Sequence, residues 1–458
     1  MKRFIKWFAV VLLVAVAAMA VIYRAVNRVP SADLAEAERV SVIFADGGCI
    51  SCHSENPELP FYAEFPVIGN LVKADAAEGY HIFDFTPAKQ ALESGEALHP
   101  VDLAKIEKVV ADGTMPLAKY YLVHWGSSIT KAKRSVVLDW AGKEWTGMYC
   151  GNCCPSCSGE PVRPIGSFET DPAKVALGFD LFHDTRLSVD NTISCSSCHG
   201  LNTGGVDNEQ FSDGVRGQLG GVNAPTVYNA VYNFVQFWDG RAATLADQAA
   251  GPPLNPVEMA CESFDEIVAK LAADKEMVRR FKALYPQGIT QETITDAIAE
   301  FEKTLLTPDS RFDKYLKGDA SAISEREKAG YELFKATGCA TCHNGPILGG
   351  QSYEYMGVKA DYFADRGLEL TIEDNGRFKE TQLERDRHRF KTPGLRNVAL
   401  TWPYYHDGTR LTLEDAVRDM AKYQNGKKLS ESQVGDITAF LNTLTGEYEG
   451  KILTNDND

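Results

Sequence analysis

The sequence predicts a mainly α-helical protein in which three similar units follow one another behind an N-terminal transmembrane helix. Three observations carry this reading. The pentapeptide Cys-x-x-Cys-His occurs at Cys49, Cys195 and Cys339, at intervals of 146 and 144 residues. Apolar residues around these motifs recur at helical spacing, and strand-like alternation is scarce. The chain opens with Lys2, Arg3 and Lys6 and then an unbroken apolar run from Trp7 to Tyr23.

The apolar run has 17 residues, at the lower edge of a membrane span. Ala18-Met19-Ala20 resembles a small-residue cleavage site, which would make the segment a signal peptide. Val21, Ile22 and Tyr23 carry the apolar stretch past that site and favour an uncleaved anchor, with Tyr23 as an interfacial aromatic. The flanking positive charge places the N-terminus in the cytoplasm, so the body of the chain faces the periplasm from the inner membrane.

A length of 458 residues suits about three domains of ~150 residues. The boundaries predicted are an anchor and flank over 1–30 and a first unit over 31–148. A linker over 149–165, marked by Pro155, Gly159, Pro161 and Pro164, leads to a second unit over 166–318. A third unit spans 319–458, its boundary set softly near Lys317-Gly318-Asp319. In the second unit Val175, Phe179 and Phe182 share a helical face before Cys195, and Ile294, Ile298, Phe301 and Leu305 form a strong amphipathic helix later. In the third, Ser324 and Glu327 make a capping box ahead of Tyr331, Leu333 and Phe334 on the helix leading into Cys339. Val434, Ile437, Phe440, Leu441 and Leu444 repeat at helical spacing near its end. A net charge of −16 argues against nucleic-acid binding.

Cys-x-x-Cys-His has a direct chemistry. Two thiols one helical turn apart add to the two vinyl groups of a haem, and the adjacent histidine ligates the iron. The motifs Cys49–Cys52–His53, Cys195–Cys198–His199 and Cys339–Cys342–His343 therefore predict three covalently bound c-type haems, each in a cytochrome c-like domain. Covalent attachment fits an exported chain. The sixth ligand then sets the role of each haem, because a thioether raises the potential and an open site permits chemistry. In the first unit Met115, 62 residues after His53 in Gly-Thr-Met-Pro, is the expected ligand, with His81, His99 and His124 as alternatives.

Residues 166–445 closely resemble the bacterial di-haem cytochrome c peroxidase family. The resemblance rests on Asn223-Ala-Pro-Thr226, Gln236-Phe-Trp-Asp-Gly-Arg241, Gly251-Pro-Pro-Leu-Asn-Pro-Val-Glu-Met259, Pro393-Gly-Leu-Arg-Asn-Val398 and Pro403-Tyr-Tyr-His-Asp-Gly408. The extra N-terminal haem unit and anchor resemble its trihaem, membrane-bound subgroup, which implies reduction of hydrogen peroxide with quinol as the electron donor. The resemblance further implies a peroxidatic haem at Cys195–Cys198 with His199 as proximal ligand. Glu258 would be the distal general base and Gln248 would orient the peroxide. The haem at Cys339–Cys342 would be the high-potential partner, ligated by His343 and Met420, with Trp238 between the two haems. A calcium ion held by Asn223 with Thr401 and Pro403 is implied as well; such hard oxygen donors suit calcium.

One departure from the family matters. Many members carry a blocking histidine about eight residues before Asn-Ala-Pro-Thr, where this sequence has Val215 and no histidine nearby. The expectation is an open or water-bound sixth site that needs no reductive activation. Among the remaining cysteines, Cys150, Cys153, Cys154 and Cys157 form two interleaved Cys-x-x-Cys pairs, read as linker disulfides with zinc or a cluster as the alternative. Cys261 is read as buried and inert. A soluble cytochrome c or copper-protein donor, a maturation enzyme acting on a protein substrate, and a non-catalytic electron carrier remain as rival readings. Homo-oligomerisation stays open.

Overall fold

The computed structural model describes residues 2–149 and 160–455, which leaves Cys150, Cys153, Cys154 and Cys157 outside the described residues. The fold is mainly helical, with two short two-stranded antiparallel sheets. By internal contact it forms two compact units, Met1–Gly159 and Glu160–Asp458.

The first unit begins with α1 (Lys2–Val26), whose long apolar side chains stand exposed; it is long and apolar enough to cross a membrane. Next come α2 (Glu36–Gly47), α3 (Ile68–Ile82), α4 (Thr86–Ser94), α5 (Pro100–Asp112) and α6 (Lys131–Tyr149). Helix α2 ends at Gly48, whose left-handed φ of 70° turns the chain directly into Cys49. Its buried Val40, Ile43 and Phe44 pack in one core with Leu103 and Ile106 of α5 and Val137, Trp140 and Ala141 of α6.

The second unit carries α7 (Pro172–Phe182), α8 (Cys195–Cys198), α9 (Leu245–Ala249), α10 (Phe264–Ala272), α11 (Lys275–Leu284), α12 (Gln291–Glu302) and α13 (Arg311–Leu316). It continues through α14 (Glu325–Thr337), α15 (Tyr362–Arg366), α16 (Phe378–Thr381), α17 (Leu413–Tyr423) and α18 (Glu431–Leu441). Two large cores form, one from α7, α10, α11 and α12, the other from α13, α14, α17 and α18. The same device appears in both. A Cβ at Gly178 of α7 would stand 1.9 Å from the Ala297 carbonyl of α12, and one at Gly330 of α14 would stand 1.9 Å from the Asp436 carbonyl of α18. Each glycine thus lets a helix cross the terminal helix of its half at backbone contact. Gly178-Phe-Asp-Leu-Phe182 and Gly330-Tyr-Glu-Leu-Phe334 are corresponding stretches, and both closing phenylalanines are buried.

The capping box of Ser324 and Glu327 is present, and Ile294, Ile298, Phe301 and Leu305 are all buried. The face of α7 is a correction. The crossing at Gly178 turns Leu177, Leu181 and Phe182 inward, while Phe179 remains 46% exposed, its ring edge-on to Phe301. Residues 160–165, placed in the linker by their prolines, are built into the second unit. Val162 is fully buried in the core of α14 and α18, and Gly345 N–H donates to the Pro161 carbonyl at 2.8 Å. The chain end returns to the other half, where Leu453 joins the core of α7 and α12.

Candidate functional site

The three pentapeptides share one local geometry. Each first cysteine lies at a helical turn, and none of the six motif cysteines is in a disulfide. In each, the backbone N–H of the histidine donates to the carbonyl of the first cysteine at 3.0 Å. Each imidazole also turns Nδ1 to a backbone carbonyl: His53 to Gly79 at 2.9 Å and Phe83 at 3.0 Å, His199 to Gly205 at 3.3 Å, and His343 to Leu348 at 2.9 Å. A carbonyl at Nδ1 fixes the tautomer and leaves Nε2 for a metal. Burial pushes His199 and His343 below the usual histidine range and so favours the neutral, ligating form. Burial also pushes the Cys49, Cys195 and Cys339 thiols up to about 12.

Past these shared features the surroundings diverge. Around Cys195–His199 the loop carrying Glu258 folds back on the segment that carries Val215. Val215 N–H donates to the Glu258 carbonyl at 2.7 Å, and a Cβ at Gly214 would stand 2.1 Å from the Val257 carbonyl. Val215, at the offset where a histidine was sought, is 1% exposed. The half-buried Glu258 carboxylate accepts a hydrogen bond from Asn255 Nδ2 at 2.8 Å. Burial raises its pKa, while Arg241 and Asn255 pull it back. Its charge, with those of Asp207 and Asp213, adds to the burial that raises the Cys198 thiol. Asn255 and Arg241 are functional neighbours that the sequence reading did not single out, although both lie inside the stretches it quoted. Arg241 stacks its guanidinium 3.5 Å over the Phe237 ring and pairs with Asp239 at 2.9 Å. Gln248 lies half-buried on α9, which Thr244 and Asp247 cap at its start.

On the Cys339–His343 motif act one cation, Lys427, and one carboxylate, Glu354, and the same half carries an aromatic cluster. Met420, on α17, packs with Met356, Tyr362, Phe363, Phe390 and Tyr423, a cluster that Trp238 also joins. Trp238 Nε1 donates to the Asn223 carbonyl at 2.9 Å, and Lys391 N–H donates to the Trp238 carbonyl at 2.8 Å. The His406 ring stands 6.3 Å from Trp238 and heads a buried network. Its Nε2 lies 2.8 Å from Asp374 Oδ1, and Arg366 Nη1 bridges Asp374 at 2.8 Å and Asp407 at 2.7 Å. The guanidinium thus compensates the acid cluster from within.

Asn223 Nδ2 donates to the Glu209 carbonyl, Asn208 Nδ2 to the Leu400 and Trp402 carbonyls, and Gln210 Nε2 to the Asp407 carbonyl. Residues 208–210 therefore tie Asn223 to the segment that holds Thr401 and Pro403. In the first unit, Cys49 Sγ and the Pro116 ring approach to 3.7 and 3.9 Å the point where a Gly47 Cβ would sit, which brings the half-buried Met115 segment beside that motif. Among the alternative ligands, His99 caps α5 and His124 stacks on Tyr120 at 3.8 Å with its Nε2 3.0 Å from the Tyr62 hydroxyl. Cys261 is buried, its Sγ donating to the Leu187 carbonyl at 3.3 Å.

Residues 172–321 match the family model "Di-haem cytochrome c peroxidase", and residues 9–143 match "Haem-binding domain". The chain is 49% identical to the cytochrome c peroxidase Ccp of Escherichia coli K12, over 92% of this chain and 90% of that one. The chain belongs to the di-haem cytochrome c peroxidase family. It is 48% identical to the cytochrome c551 peroxidase of Nitrosomonas europaea over 63% of this chain and 85% of the relative. Among solved structures, a MauG-like protein associated with microbial copper homeostasis superposes with a TM-score of 0.55 at 29% identity, covering 62% of this chain and 93% of that one. The family model covers the Cys195–His199 half and the haem-binding model covers the Cys49–His53 motif, so c-type haem binding is a property of both compact units.

Proposed function

We propose that this chain is a membrane-anchored peroxidase that takes electrons from quinol, relays them through three c-type haems and reduces hydrogen peroxide to water at the Cys195–His199 haem. The observation that carries the site assignment is the half-buried Glu258 carboxylate. Asn255 holds it, burial raises its pKa, and its loop is closed by Val215, whose N–H donates to the Glu258 carbonyl.

The haem held by Cys195, Cys198 and His199 supplies the iron at which the O–O bond is broken. Glu258 takes the proton from the near oxygen of the peroxide and returns it to the departing oxygen, so that water leaves instead of hydroxide. A carboxylate whose pKa is raised by burial is a stronger base than an ordinary surface carboxylate, which suits the first of these steps. Gln248 orients the peroxide by hydrogen bonding. Two electrons and two further protons complete the conversion of one peroxide to two waters. His343 and Met420 would hold the partner haem, with Trp238 between the two haems, and Asn223 with the Thr401 and Pro403 carbonyls would hold a calcium ion that stiffens this junction. His53 and Met115 would hold the relay haem, and α1 would anchor that unit at the inner membrane with the rest of the chain in the periplasm.

Val215 in place of a histidine supports an open sixth site. Rapid reaction of the fully oxidised protein with peroxide, and a high-spin ferric component in its spectrum, are the expected results; a wholly low-spin spectrum overturns this part. Peroxide reduction by the full-length protein with a quinol and with a reduced cytochrome c tests the donor. Turnover with cytochrome c alone replaces quinol by the soluble donor.

A further inference from the structure

We propose that the groove between α1 and the Tyr120–Ser128 segment is the hydroquinone site, where the ring of a membrane quinol sits within electron-transfer reach of the first haem motif. This rests on the quinol-donor reading above and names the site that reading requires.

The end of the apolar helix is docked on the first unit. Asn27, 5% exposed, donates through Nδ2 to the Tyr23 carbonyl at 2.9 Å and to the Trp125 carbonyl at 2.6 Å, and its Oδ1 accepts from Ser128 N–H at 3.0 Å. One side chain thus joins the last turn of a membrane-length helix to a loop of the haem unit. Beside this joint lies a cavity of about 330 Å³ lined by Met19, Ala20, Tyr23, Tyr121, Trp125 and Ser128. Three of these residues carry hydroxyls and the rest are apolar, which suits a flat ring with two polar ends and an apolar tail. Tyrosine and tryptophan at the end of such a helix lie at headgroup depth, where a quinol ring is presented.

The same loop reaches the haem motif from its other side. Tyr120, next to Tyr121, brings its hydroxyl to 2.3 Å from the point where a Cβ on Gly48 would sit, beside Cys49. It stacks on His124, which meets Tyr62. The cavity-wall residue Tyr121 and Tyr120, which lies beside the motif, are therefore neighbours in the chain. In the reaction the hydroquinone loses two protons and two electrons and leaves as quinone. The haem that Cys49, Cys52 and His53 would hold would accept the two electrons one at a time, and peroxide would be their final acceptor. The protons pass to water, with His124, next to Trp125, as the imidazole on that side.

The test uses full-length, haem-loaded protein in phosphatidylethanolamine–phosphatidylglycerol nanodiscs. Peroxide turnover is measured with decyl-hydroquinone and with a reduced soluble dye, and an azido-quinone photolabel is mapped by peptide. The ratio of hydroquinone-driven to dye-driven turnover falls about tenfold or more in Ala20→Trp, which fills the cavity, and less in the milder Ala20→Leu. The label is recovered in peptides containing residues 19–23 or 121–128, and decyl-hydroquinone displaces it. An unchanged ratio in both variants with the label elsewhere overturns the site while leaving quinol as donor. A label that added phospholipid displaces equally well makes the groove a lipid seat and also overturns it. Wild-type protein that takes electrons from reduced cytochrome c and from no hydroquinone overturns the site and the donor reading together.

Discussion

The two haem motifs of the second unit start from the same pentapeptide, a histidine turned by the same kind of carbonyl contact and a glycine-mediated helix crossing, yet they face different electrostatics. Cys198 feels Asp207, Glu258 and Asp213. The Cys339 thiol feels Lys427, which donates to the Ala336 and Thr337 carbonyls at the end of α14, while His343 feels Glu354. Buried Lys391, pushed down to about 8 by burial, lies in the short strand Arg389–Lys391, next to Trp238. Negative charge stabilises the oxidised iron, so the three carboxylates that act on Cys198 suit the site proposed to reach high oxidation states. On that proposal, one repeated local scaffold would take two roles through the charges and the sixth ligand that the fold brings to each motif.

The largest test of this contrast is Glu258→Gln. It removes the only carboxylate assigned to proton transfer, and peroxide turnover is expected to fall on the order of 10²–10⁴-fold with haem content unchanged. Retained turnover would erase the distinction between the two motifs. Met420→Ala acts on the other side. Loss of the thioether is expected to lower the potential of the His343 haem on the order of 100 mV, read by redox titration, and to leave the His199 haem unmoved.

Glu302→Gln probes the buried acid beside Cys195. Burial pushes Glu302 from 4.5 up to about 8, and its Oε2 has no hydrogen-bond partner. With the folded pKa above the unfolded one, the unfolded chain binds fewer protons between these values, so stability falls as pH rises from 4.5 to 8. The glutamine variant is expected to lose that slope, a difference on the order of 1–3 kcal/mol at neutral pH in denaturant titrations. The smallest effect is that of Asn255→Ala. Asn255 stabilises the Glu258 carboxylate, so its removal raises that pKa. The base must be deprotonated to act, and the acid limb of the pH–rate profile is expected to move further upward in pH, in the direction that burial has already pushed it.

Much of the fold was legible because it depends on local pattern. The capping box at Ser324, the stripe from Ile294 to Leu305 and the membrane-length α1 are all short-range signals, and the structure contains them. The face of α7 was misread because Phe179 fits the periodicity as well as Leu177 does; the backbone crossing at Gly178, a contact with a residue more than a hundred positions away, decides which turns inward. Val162 was hidden among linker-like prolines for the same reason, since its burial depends on α14 and α18. At the candidate site, Glu258 was visible only through the family motif. Its partners Asn255 and Arg241 follow from the way the loop folds, and Arg366, which neutralises Asp374 and Asp407, carries no motif at all.

The amino-acid sequence by itself determined where the Cys-x-x-Cys-His motifs lie, which segment is long and apolar enough to cross a membrane and which helices close each half, because those properties reside in covalent spacing, uninterrupted apolarity and helical period. The tertiary structure decided which charges meet each motif, how α1 seats on the first unit through Asn27, and which side of a helix is buried. Each of these is a through-space interaction between residues far apart in the chain, and one-dimensional spacing does not encode it.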